Sequence, residues 1–154
     1  MTSSEQLVIF SLDEQRYGIP LATVERVVRI VEITHLPKAP DFIRGVINVQ
    51  GEIMPVLDLR CRFGLPGRDS QLSDQLIILR CANRNFALIA ESPCEVRECT
   101  TQMRTATADL NPEFHFLTGV AKLPDGLILL SNPEVLLSSD EKKTIDELLG
   151  SEVS

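Results

Sequence analysis

Aromatic side chains are scarce in this chain. Phe, Tyr and Trp make up 5% of its 154 residues, with no Trp and one Tyr. The interior must therefore be mainly aliphatic, and an apolar content of 44% is enough to fill one. No apolar run reaches the length of about 18 residues that a membrane helix needs. The start, Met1 to Gln6, lacks the basic and apolar regions of a secretory signal, so a cytoplasmic location is the expectation. The four cysteines, Cys61, Cys81, Cys94 and Cys99, form no C-x-x-C, and Cys94-x4-Cys99 is too loose for a zinc half-site. Without a secretory signal a disulfide framework is not expected, and the cysteines read as reduced and packed. His35 and His115 bear no fixed spacing to them. There is no phosphate-cradling G-x-x-x-x-G-K-[ST] or G-x-G-x-x-G, no G-x-S-x-G and no H-E-x-x-H. Catalytic residues, cofactor and metal are accordingly all expected to be absent.

Basic residues are also outnumbered. A net charge of −7 argues against nucleic acid as a partner, because phosphate contacts need a basic face. The imbalance is uneven. Val24 to Arg68 holds Arg26, Arg29, Lys38, Arg44, Arg60, Arg62 and Arg68 against Glu25, Glu32, Asp41, Glu52 and Asp58. This mildly basic stretch suits an acidic protein surface, or is simply a set of solvated strand edges.

What is present is concentrated between Phe42 and Gly64. Val46, Ile47, Val49, Ile53, Val56 and Leu57 flank a polar turn at Asn48, Gln50 and Gly51, which predicts a β-hairpin. Pro55 lacks an N–H and places the return strand at an edge or near a bulge. Asp58 suits the cap of a short helical turn over Leu59 to Phe63 that Gly64 ends.

The pattern recurs. Phe116-Leu117-Thr118-Gly119-Val120 matches Phe42-Ile43-Arg44-Gly45-Val46, and Gly126 to Leu130 echoes Gly51 to Leu57. Leu7 to Phe10 with Tyr17 to Ile19 likewise matches Leu76 to Leu79 with Phe86 to Ile89. The repeat predicts a duplicated small β unit with halves at about 7–64 and 76–137, forming one domain of residues 6–150 or two small subdomains that share a core. Pro20 to about Val27 is predicted helical from the spacing of Leu21, Val24, Val27 and Val28. Arg29 to Thr34 and Val96 to Thr101 are predicted strands, and Met103 to Phe114 a loop. Ser138 with Glu141 forms a capping-box signature for a C-terminal helix at about 138–149.

Taken in order, these segments resemble the CheW-like adaptor family of bacterial chemosensory systems. The matching pieces are L-V-I-F-S-L (Leu7 to Leu12), Y-G-I-P-L (Tyr17 to Leu21), V-E-R-V-V (Val24 to Val28), P-K-A-P-D-F-I-R-G-V-I-N (Pro37 to Asn48), P-V-L-D-L-R (Pro55 to Arg60), F-L-T-G-V (Phe116 to Val120) and D-G-L-I-L-L (Asp125 to Leu130). The resemblance implies a mainly β fold: two five-stranded SH3-like barrels around a shared core, with short helices and a C-terminal helix. It implies a non-enzymatic cytoplasmic adaptor, recruited to receptor arrays at the inner membrane. Its partners would be the regulatory domain of a CheA-type histidine kinase, docked on a barrel face, and the cytoplasmic tip of methyl-accepting receptors, held in the groove between barrels.

The expected partner-binding residues are Val24, Arg26, Ile43, Gly45, Val46, Asn48 and Gln50, with Asp58, Gly51 and Gly119 structural. Gly45 is expected to let another backbone approach closely. Two positions depart from the family pattern, which usually has Glu where this chain has Arg26 and Arg where it has Gln50. An Arg26–Gln50 contact would replace an ion pair. Those departures also fit a scaffold of a divergent or accessory pathway, serving surface motility or gene regulation. A small hydrolase or metal protein using His35, His115 and the cysteines is the remaining alternative.

Overall fold

The computed structural model describes residues 4–80, 84–91, 93–106 and 116–150. Strands β1 (Ser4–Leu12) and β2 (Gln15–Pro20) form the first hairpin, and a 3-10 turn at Leu21–Thr23 leads into β3 (Val24–Arg29). The second hairpin is β4 (Ile43–Val49) and β5 (Glu52–Leu57), followed by helix α1 (Leu59–Arg62). Then come β6 (Gln75–Leu79), β7 (Phe86–Ala90), β8 (Glu95–Thr100), β9 (Arg104–Ala106), β10 (Gly119–Leu123) and β11 (Gly126–Leu130). Helices α2 (Pro133–Leu136) and α3 (Ser139–Leu149) end the chain's described part. Both tight hairpin turns near the N-terminus, Asp13–Glu14 and Gln50–Gly51, carry positive φ at both residues. That is type I′ geometry, whose twist matches that of the flanking strands.

The strands form two sheets, ordered β8-β1-β2-β11-β10-β9 and β3-β6-β7-β5-β4. The sheets do not follow the sequence halves 7–64 and 76–137. The first hairpin of the chain joins the sheet built from the second half, and β6 and β7 join the sheet built from the first. If β6, β7, β8, β10 and β11 are set equal to β1, β2, β3, β4 and β5, the two orders coincide. The parallel pairings coincide as well, β11 with β2 and β5 with β7. Each sheet also closes in the same way. In one, β8 and β9 occupy the two edges and are separated only by the 3-10 turn Thr101–Met103, so one segment serves both. In the other, Thr34 extends beyond β3 and exchanges both backbone hydrogen bonds with Val46 of β4, at 2.8 and 2.9 Å. The two curled sheets are the SH3-like barrels, and β9 gives the first a sixth strand.

Alternate residues of the central strands enter different cores. On β1, Leu7 and Ile9 fill the first barrel, with Cys99, Ala121, Leu123, Ile128 and Leu130. Val8, Phe10 and Leu12 point the other way, into a core shared by the barrels. On β6, Leu76 and Ile78 fill the second barrel, and Ile77 and Leu79 enter the shared core. Runs such as L-V-I-F and L-I-I-L are continuous because both faces are buried.

Several local expectations are corrected. Pro20 to Val27 is not a helix: three residues form a 3-10 turn and the rest is β3. Val24, Val27 and Val28 mimic helical spacing because a bulge shifts the register between Val24 and Arg26, and because Val27 packs on the shared core while Val28 packs inside the barrel. Arg29 to Thr34 is not a strand beyond Arg29 except for the Thr34 bridge. Residues Arg104 to Ala106 of the predicted loop form β9, while the loop's stretch 107–114 and His115 lie outside the described residues, as does Cys81. Strand β5 is internal rather than an edge, but Pro55 does lie beside a bulge, the register shift between Ile43 and Gly45 opposite Leu57 and Val56, and it precedes the parallel ladder with β7, which begins at Val56, so its missing N–H leaves no gap. Asp58 caps α1 by accepting from the Cys61 amide at 3.0 Å. Ser138 and Glu141 form the capping box of α3, and Ile145 anchors that helix in the shared core.

Candidate protein-interaction surface

The hairpin β4–β5 presents one face inward and one outward. Ile43, Ile47 and Val49 are buried, whereas Arg44 and Val46 are half-buried and Asn48 is exposed. Asn48 stands opposite Ile53, which is 51% exposed, an unusual position for so large an apolar side chain. At the tip, Gly51 donates its amide to Asn48 Oδ1 at 2.8 Å, and Gln50 holds φ at 53°. A non-glycine residue pays for that left-handed backbone. Gln50 is thereby aimed at β3, where Arg26 Nη1 donates to its Oε1 at 2.8 Å. The expected Arg26–Gln50 contact is therefore present. It ties the two edge strands across the seam where the barrel closes.

The seven residues expected on this surface occupy two layers. Arg26, Val46, Asn48 and Gln50 reach solvent, whereas Val24, Ile43 and Gly45 are buried beneath them. A Cβ on Gly45 would lie 2.4 Å from the Thr34 carbonyl oxygen and 2.8 Å from Ile33 Cγ2. The backbone that approaches Gly45 closely thus belongs to this chain, and the approach closes the barrel. Gly119 occupies the corresponding place in β10, buried between Leu130 and Ala106.

A second feature lies between the barrels. A cleft of about 350 Å³ is lined by Val8, Leu21, Val24, Val27, Cys94 and Val96, with Glu25, Arg26, Gln75 and Glu95 at its polar parts. Val96 is 53% exposed. Burial pushes the Cys94 thiol up to about 11, so it stays protonated and unreactive at neutral pH. Among the described residues no three His, Cys, Asp or Glu side chains come together as a metal-binding group. No described helix is long and apolar enough to cross a membrane.

Sequence reasoning missed Ile53, Val96 and an ion network behind the hairpin. Ile53 has a sequence signal, since its partner across the predicted hairpin is the polar Asn48. Val96 has none, because an isolated Val in a strand reads as core. The network joins Arg60 to Asp13 and Glu91, and Glu91 to Arg68, which in turn meets Asp74. Its members come from four separate segments, and only the fold assembles them.

Comparison with known proteins agrees with this architecture. The model of the CheW-like domain matches residues 6–141. The chemotaxis protein CheW of Klebsiella aerogenes is 31% identical over 96% of this chain and 90% of its own length. That of Helicobacter pylori is 23% identical over 88% of this chain and 82% of its own. Among solved structures, the scaffolding protein TtCheW from Thermoanaerobacter tengcongensis superimposes with a TM-score of 0.80 at 31% identity, covering 90% of this chain and 96% of that one. With the same two barrels and the family's motifs in order along nearly its whole length, this chain belongs to the CheW-like family of chemotaxis scaffold proteins.

Proposed function

We propose that this protein is a non-enzymatic adaptor that couples methyl-accepting chemoreceptors to a CheA-type histidine kinase. The observation that carries this reading is the pairing of two unlike recognition surfaces on one interlocked scaffold. One is the outer face of β4–β5 with the β3 edge, where Arg26, Val46, Asn48, Gln50 and Ile53 reach solvent. The other is the apolar cleft between barrels around Val24, Val27 and Val96. A flat β face suits another barrel domain, such as the kinase's regulatory domain. An apolar cleft suits the helical tip of a receptor, read through apolar anchors. Ile43 and Gly45 then act from below, by setting the shape that the exposed residues present. The protein itself would be cytoplasmic and held at the inner membrane through the receptor.

The test is reconstitution. Size-exclusion chromatography of this protein with the kinase regulatory domain at tens of micromolar should give a shared peak. Adding a receptor cytoplasmic fragment and full-length kinase should raise autophosphorylation above that of kinase alone. Separate elution together with unchanged kinase activity would overturn the proposal.

A further inference from the structure

We infer that the cavity beside α1 is a docking site for an amphipathic helix of a partner protein, one that presents apolar side chains at positions i and i+4. The cavity measures about 360 Å³, and among the described residues Tyr17, Phe63, Phe116, Leu117 and Leu129 line it together with Arg62. It shares no lining residue with the cleft around Val96, and the inference goes beyond the adaptor reading. The internal duplication of the molecule points to the occupant. Residues 42–64 correspond to residues 116–138 without a gap. The helix caps agree, since Asp58 accepts from the Cys61 amide and Asn132, at the matching position, accepts from the Val135 amide. The exposed Ile53 and Leu127 also match, and they stand opposite the matching residues Asn48 and Lys122. Each apolar residue of the cavity therefore has a counterpart. Phe86 stands for Tyr17, Leu137 for Phe63, Phe42 for Phe116, Ile43 for Leu117 and Pro55 for Leu129.

The chain fills the counterpart site itself. Helix α3 starts directly after Ser138, the residue that corresponds to Gly64. Its Ile145 is buried in the core cluster that holds Phe86, Leu137 and Ile43, and Leu149 packs against the same cluster. Asp146 pairs at 3.3 Å with Arg84, which closely precedes Phe86. In the first half the matching stretch is used otherwise. From Leu65 to Asp74 the chain forms no helix and leads into β6. Burial records the difference. Leu137 is 2% exposed and Pro55 is buried, whereas their counterparts Phe63 and Leu129 are only half-buried. Arg62 marks the boundary between the two sites. Its guanidinium lies over the matched rings of Phe42 and Phe116, at 4.8 and 4.5 Å, and meets Glu141 of α3 at 2.9 Å. The fold thus builds a helix groove twice and supplies one helix, which is already engaged. A partner helix of the same kind completes the second groove by burying apolar anchors one turn apart.

The test uses the full chain, isotopically labelled, and a capped synthetic peptide of residues 138–150 that carries the α3 sequence. Amide shifts centred on Tyr17, Phe63, Leu117 and Leu129 are expected on titration. The same peptide with Ile145→Asp should bind about tenfold more weakly or not at all. In the protein, Leu129→Ser should weaken peptide binding about tenfold, and Leu127→Ser, on the same strand but outside the cavity lining, should leave it unchanged. Thermal melts establish that both variants are folded, and Phe63→Ala reads the same cavity from the α1 side should Leu129→Ser unfold. Shifts centred on Val24, Val27 and Val96, or on Phe86 and Leu137 through displacement of α3, overturn the inference, as does an absence of shifts at millimolar peptide. A dimer of the free chain in sedimentation that Leu129→Ser abolishes would assign the groove to a second copy of α3 and overturn the partner helix.

Discussion

Arg60 grips Asp13 across 47 positions of sequence, its Nη1 and Nη2 donating to the two carboxylate oxygens at 2.8 and 3.0 Å. The same guanidinium donates from Nη1 to Glu91 at 2.7 Å and from Nε to the Pro66 carbonyl at 2.6 Å. One side chain of α1 thus fastens the β1–β2 turn, the end of β7 and the segment after α1. Lysine cannot reproduce a two-pronged contact of this kind. Arg60→Lys should lower the melting temperature, and Arg60→Ala should lower it further, by roughly 5 °C or more. Asp13→Ala combined with Arg60→Ala should cost less than the sum of the singles, measured by thermal melts. Full additivity would show that the contact contributes nothing to stability.

Acid should weaken the fold through two carboxylates. Hydrogen bonds from Arg16 and then Arg97 hold Asp125 down at about 2, and Arg60 holds Asp13 below its ordinary value. A depressed carboxylate stabilises the native state above its unfolded value, about 3.9, and loses that contribution as pH falls through its folded value. The melting temperature should therefore drop steeply between about pH 4 and pH 2. Asp125→Asn should flatten part of that slope in a calorimetric pH series while lowering stability at pH 7. An unchanged slope in the variant would exclude Asp125 from the transition.

Gly45 should tolerate no side chain. Its Cβ would lie only 2.4 Å from the Thr34 carbonyl oxygen, so Gly45→Ala must push apart the backbone that closes the barrel. A loss of about 3 kcal/mol or more is expected in urea titration, because a clash with backbone cannot be relieved by a rotamer change. Gly45→Arg should fail to fold rather than fold and lose a partner. A far-UV spectrum of Gly45→Arg identical to that of the parent would contradict the closed seam.

Gln50 should accept substitutions in the order set by its backbone. Gln50→Asn keeps an amide and enters the left-handed region readily, whereas Gln50→Val should be less stable by about 1–2 kcal/mol. Equal stability of the two would mean that the turn relaxes out of type I′ geometry.

Glu141 does two things with one carboxylate. Oε1 accepts from the Ser138 amide at 3.0 Å to complete the cap of α3, and Oε2 lies 2.9 Å from Arg62 Nη2. That guanidinium is itself packed on the rings of Phe42 and Phe116, at 4.8 and 4.5 Å. Ser138→Ala should cost about 1 kcal/mol through the lost cap alone. Glu141→Gln should keep the cap and lose only the charge pair, so a smaller loss is expected in the same melts.

Much of this architecture was legible because local chemistry and global fold agree. The polar turn between β-branched runs announces the β4–β5 hairpin, the capping box announces α3, and the repeated F-x-x-G-V segments announce two similar units. The helix expected at Pro20 to Val27 went wrong at one bulge, where a single extra residue after Val24 turned strand alternation into an apparent helical period. The layering of the seven residues expected at the surface was hidden. Nothing in the letters I-R-G-V tells which carbonyl will rest against the glycine. The Arg60 network was invisible for the same reason, since charged residues far apart in sequence carry no mark of the partner the fold will bring.

The crossed allocation of strands has a consequence for how such a chain is put together. Each half donates its opening hairpin to the barrel of the other, and receives one in return. Topologically the protein is a strand-swapped homodimer whose two protomers have been joined into one polypeptide by the segment after α1. A half cut free at that segment carries a hairpin with no barrel to enter and a barrel missing two strands. Two such halves mixed together should complement each other, and the tether raises the effective concentration of one half for the other while adding no contact of its own.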